Sequence, residues 1–90
     1  MIFLVKHENT VMSFNTGAEC FIFNAAVNND FHKKHSHKQL QIYVSLVYEC
    51  YIKDDNPTPL GDLCDFMAKY WKSIKKLSRS EILSKFYDWL

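Results

Sequence analysis

The sequence predicts a mainly α-helical fold: a compact four-helix domain with a short N-terminal β-hairpin. Three observations predict it. Apolar residues recur at steps of three and four over several long stretches, the period of one helix face. Two of those stretches open on a Ser/Thr-x-x-Glu capping box, at Thr16–Glu19 and Ser78–Glu81. Two glycines and two prolines in 90 residues leave little room for extended loops. A chain of this length makes one domain, residues 1–90. It divides into a hairpin or extended arm at 1–15 and a helical core at 16–90.

Residues 2–5 and 10–14 are short β-prone runs, separated by Lys6-His7-Glu8-Asn9. Asn9 tolerates a left-handed turn, so the pair reads as a hairpin. A lone hairpin is unstable in water and must lie on the helices or pair with another chain. Met12 could equally open a shorter chain, in which case residues 1–11 are dispensable.

Helix 1 is expected over 17–28. Cys20, Phe21, Phe23, Ala25, Ala26 and Val27 leave it little polar face, so it should be largely buried. Ser36 is placed to cap helix 2, expected over 37–52, with Leu40, Tyr43, Val44, Leu46, Val47, Cys50 and Tyr51 inward. Its β-branched and aromatic residues would suit a strand, but its length favours a helix. Residues 53–57 make a turn, because Pro57 pushes Asn56 away from helical angles.

Helix 3 carries the strongest signals, over 59–77. Leu60, Leu63, Phe66, Met67, Tyr70, Trp71, Ile74 and Leu77 form one face. Thr58 can cap it, and Pro59 suits the first helical position. Asp62 and Asp65 near its start and Lys72, Lys75 and Lys76 near its end complement the helix dipole. This helix is expected to be the one the others pack on, with Trp71 inside. Helix 4 follows over 79–90, with Ile82, Leu83, Phe86, Trp89 and Leu90 inward.

Composition excludes more than it selects. The net charge of +1 names no partner. Residues 69–85, however, carry six bases against Glu81 alone, a local +5 that would favour phosphate or an acidic protein surface. A lysine-solvated helix end explains the same residues. Cys20, Cys50 and Cys64 are odd in number and widely spaced, so they form neither a disulfide framework nor a CxxC site. Buried thiols in a reducing, cytoplasmic setting are the expectation. The apolar start at 1–5 is too short for a signal segment or a membrane span, and no membrane contact is expected.

His32, His35 and His37 lie close together in the basic run FHKKHSHK, with His7 far off in sequence. Imidazoles at such spacing can bind a transition metal. Against this, Lys33, Lys34 and Lys38 would repel a cation, and Asp30 is the only acid nearby in sequence. The expectation is an exposed, solvated connector with no metal and no cofactor. No GxSxG, P-loop, GxGxxG or HExxH motif is present, so no catalytic residue is assigned and no enzyme is expected.

From residue 40 onward the rhythm resembles a helix-turn-helix of the winged-helix kind in outline. A long helix is followed by a Pro-broken turn, then TPLGDLCDFM, then LSRSEILSKFYDWL. That resemblance implies DNA contact through Ser78, Arg79, Ser80, Ser84 and Lys85. The sequence departs from it in the length of helix 3 and in having no wing after residue 90.

The aromatic content, 16% of residues, exceeds what a small core encloses, and Tyr and Trp are favoured at interfaces. The functional expectation is therefore a small non-catalytic regulator or inhibitor that binds another protein, with a homodimer as an expected assembly. The partner-binding residues would be Tyr48, Tyr87, Trp89, Lys72, Lys75, Lys76, Arg79 and Lys85. The alternative is a helix-turn-helix-like nucleic-acid binder using the basic segment 69–85.

Overall fold

A computed structural model describes residues 2–50 and 60–90. In order, they form β1 (Phe3–His7), β2 (Thr10–Phe14), α1 (Gly17–Asn28), a 3₁₀ turn (Phe31–Lys33), α2 (His37–Tyr48), α3 (Leu60–Ile74) and α4 (Arg79–Trp89). This is the mainly α fold with an N-terminal hairpin that the sequence predicts. The radius of gyration, 12.4 Å, is close to the about 12 Å of a compact chain this long. Among the described residues no helix is long and apolar enough to cross a membrane. The expected Thr58 cap, Pro59, the turn at 53–57 and the end of helix 2 at Tyr51 and Ile52 lie outside the described residues.

The strands pair antiparallel, with Phe3 opposite Phe14, Val5 opposite Met12 and His7 opposite Thr10. The turn is tighter than the sequence suggests: only Glu8 and Asn9 remain between the strands. Both have positive φ, 49° and 64°, the pattern of a type I′ turn, whose twist matches the strands. Asn suits that conformation; Glu does so at a cost. Alternation then sends Met12 and Phe14 inward, to 3% and 2% exposure, and leaves Ile2, Leu4 and Val11 outside.

Caps explain the helix starts. Ser36 with Gln39 and Ser78 with Glu81 form complete capping boxes. Thr16 accepts the Glu19 backbone N–H, but the Glu19 carboxylate turns to the Thr16 hydroxyl rather than its backbone. Half of the expected box is formed there.

The packing order corrects four expectations. The central helix is α2, which touches α1, β2 and α3; α3 is flanked by α2 and α4. Leu40, Tyr43, Val44, Leu46 and Val47 are accordingly almost wholly buried. A helix covered on several sides needs apolar residues around much of its girth, so its periodicity is weaker than that of the one-sided α3. Helix α1 is not largely buried: only Phe23 and Ala26 are enclosed, and Phe21 is 75% exposed. Trp71 is half-buried and packs on the edge of the core, whereas Met67 occupies its middle. Leu90, expected inward, is exposed.

Candidate functional site

Among the described residues, two places stand out for combining chemistry with accessible space. The first is a groove of about 620 Å³ between α3 and α4, lined by Phe66, Tyr70, Ser73, Ile74, Leu77, Lys85, Asp88 and Trp89. Its floor is an aromatic cluster. The Phe66 ring lies 5.2 Å from Tyr70, 5.5 Å from Phe86 and 5.4 Å from Trp89, centroid to centroid. Such spacings fall within the favourable range for ring pairs. At Tyr70 the backbone leaves helical geometry (φ −113°, ψ 16°), so α3 bends beside the groove. Trp89 stays 39% exposed at the rim.

The expected partner-binding residues are only partly brought together. Lys85 and Trp89 line the groove. Tyr87, two residues from Trp89, points away from it around the helix, and its hydroxyl lies 3.2 Å from Cys50 Sγ. Tyr48 and Arg79 border a separate hollow with Asn15, Thr16, Glu19, Ser45 and Glu49. There Arg79 Nε donates to Ser45 Oγ over 2.6 Å. Lys72 borders a third hollow with Gln39 and Trp71. Lys75 and Lys76 are exposed between α3 and α4. The sequence assigns Phe66, Ile74 and Leu77 to the core alone and counts Tyr70 both in that face and among the surplus aromatics. Phe66 and Ile74 are indeed buried, and only Tyr70 and Leu77 of the four are partly open beside the groove.

The second place is a corner of histidines. The hairpin brings His7, the last residue of β1, onto His32 of the 3₁₀ turn and His37, the first residue of α2. Ring centroids of His7 lie 5.1 Å from His32 and 5.2 Å from His37. His7 Nδ1 and His37 Nε2 share a hydrogen bond of 3.1 Å. The Glu8 carboxylate stands 3.9 Å from His7 Nε2 and 4.0 Å from His32 Nε2. The His7 ring packs T-shaped against buried Phe23, centroids 5.5 Å and planes 84° apart, and that packing holds it in place.

The exposed connector expected here is therefore corrected. His35 is buried, and its Nε2 lies 3.0 Å from the Cys64 carbonyl, to which it donates. The side chain of His32 is only 16% exposed. Burial pushes the Cys64 thiol above its ordinary pKa, against the opposing effect of Lys34. Lys34 is held above its ordinary value by its 2.8 Å hydrogen bond to the Asp65 carboxylate and the attraction between the charges.

No protein-family description, no curated protein and no solved structure matches this chain.

Proposed function

We propose that this chain is a non-catalytic binding module, a small regulator or inhibitor that grips an acidic segment of another protein. The segment would lay an aromatic or aliphatic anchor in the α3–α4 groove. The observation that carries this reading is the apolar, aromatic-floored groove with Trp89 at its rim. Tryptophan in such a setting is the commonest hot spot of protein interfaces. Charge supports the acidic partner: Lys72, Lys75, Lys76 and Lys85 stand on the two helices or the link that frame the groove, with Asp88 the one acid lining it among the described residues. Three free cysteines fit a reducing compartment such as the cytoplasm.

The nucleic-acid alternative has weaker support. Ser78 is used as a helix cap, and Arg79 is tied to Ser45 on α2. Two of the residues that would read DNA therefore have work inside the fold.

The reading is tested by selecting peptides from a random display library on the full chain. Enriched peptides should be acidic with an aromatic or aliphatic anchor. Trp89→Ala should weaken them by about 30-fold or more, the loss expected of a hot spot. Lys85→Glu should weaken them in a salt-dependent way. Enriched peptides indifferent to both changes would overturn the groove. A gel shift with a salt slope of about 0.9 per phosphate contact would favour duplex DNA instead. A doubled mass in light scattering, lost in Trp89→Ala, would make the occupant a second copy of the chain.

A further inference from the structure

We propose that His7, Glu8 and His32 form a binding site for a divalent transition metal of the zinc class, with His37 as its hydrogen-bonded support. One ligand atom from each of the three residues lies within 4.8 Å of the other two. Ligand atoms on a tetrahedral zinc stand about 3.3 Å apart, given bonds of about 2.0–2.1 Å. The Glu8 carboxylate already stands 3.9 and 4.0 Å from the two imidazole nitrogens, and its side chain, 62% exposed, is free to swing closer; the two rings must approach by a further small shift. Two imidazoles and a carboxylate make a donor set that zinc accepts with water in the fourth position.

His32 is placed to serve as one of the ligands. Its Nδ1 is buried and has no hydrogen-bond partner among the described residues. Its Nε2 faces Glu8 at 4.0 Å, beyond hydrogen-bond reach. Among the described residues Nε2 meets no hydrogen-bond partner, so its lone pair, aimed at the Glu8 side, is open to a metal.

His37 explains the orientation of His7. A metal on His7 Nε2 leaves the proton on Nδ1, which then donates to His37 Nε2 across 3.1 Å. Ligating histidines almost always pass their second N–H to such a partner, which fixes the tautomer. His37 is thus a positioning residue.

The fold also removes the two objections the sequence raises. The missing carboxylate arrives from the hairpin turn, as Glu8. Two of the three nearby lysines are engaged elsewhere: Lys33 Nζ pairs with Asp30 at 3.5 Å, and Lys34 Nζ with Asp65 at 2.8 Å.

The test uses the full untagged chain, stripped with chelator and titrated with Zn²⁺ by calorimetry and with Co²⁺ by visible absorption. One ion per chain is expected, with the intense d–d absorption of low-coordinate cobalt and a zinc-dependent rise in melting temperature. His32→Asn should abolish binding. Glu8→Gln should weaken it at least tenfold, and His37→Phe by about 10–100-fold. If His32→Asn does not fold, the exposed Glu8→Gln carries the same test, because its loss leaves the core untouched. Substoichiometric binding would overturn the proposal. So would stoichiometric binding that Glu8→Gln and His37→Phe leave unchanged, since the ion would then sit elsewhere.

Discussion

The groove takes its walls from α3 and α4, which are consecutive in the chain, whereas the histidine corner joins residues 30 positions apart. The groove is written in helical periodicity: Phe66, Tyr70 and Ile74 are spaced by four, and Lys85 and Trp89 likewise. The corner is written in no local pattern. His7 reaches His32 and His37 only because a two-residue turn fixes the register of the hairpin and Phe23 receives the His7 ring. Chemistry on one helix pair can be read from spacing, and chemistry between distant segments waits for the fold.

The largest effect should come from the helix pair. Phe86 is fully buried beneath the aromatic cluster. Phe86→Ala should cost about 3–5 kcal/mol, measured by urea unfolding, a large share of a marginal domain's stability. Trp89→Ala, at the rim of the same cluster, should keep the fold and lose the partner. If the two variants lose stability equally, Trp89 belongs to the core and the groove loses its hot spot.

A smaller effect separates the connector from solvent. His35→Ala removes a buried hydrogen bond to the Cys64 carbonyl, which keeps its helical partner, at about 0.5–1.5 kcal/mol. A change within error would mean that this histidine is solvated after all.

Thiol chemistry gives a graded readout of the same packing. Cys64 is buried, and its thiol is pushed up, so it should react with a disulfide reagent only as fast as the chain opens. Half-buried Cys20 should react first. Equal rates for the two in the native protein would contradict the burial of α3 against the connector.

The smallest effect belongs to the Lys34–Asp65 pair. Both side chains are 55% exposed, so Lys34→Ala should barely change stability at neutral pH. The sign is defined. Lys34 is raised in the folded chain, so its contribution is fully present below its ordinary value and is lost as pH rises through the raised one. Wild type and variant should converge in strong alkali; a gap that widens there would refute the pairing.

Much of the fold was legible. Helices at 17–28 and from 79 onward start where Thr16 and Ser78 say, because capping is decided within four residues. The central place of α2 was not legible. A helix enclosed on several sides shows a blurred apolar stripe, and the clear stripe of α3 marks the opposite, a helix with one wet face. Of the residues the sequence offers for a partner, Lys85 and Trp89 line the groove, while Tyr48 and Tyr87 lie on other faces. The burial of His35 lay beyond the sequence, since the carbonyl that fixes it comes from Cys64, 29 positions away.

The hairpin turn sets two demands on one residue. Glu8 stands at φ 49°, where Asn or Gly would rest more easily. Glu8→Asn should relax the backbone by about 1 kcal/mol and at the same time replace with a neutral amide the one carboxylate that, among the described residues, stands within about 4 Å of His7 and His32. Stability and zinc affinity should therefore move in opposite directions at this position. A turn selected for stability alone would discard its glutamate, and that conflict makes residue 8 the place to look for a trade-off between folding and ligation.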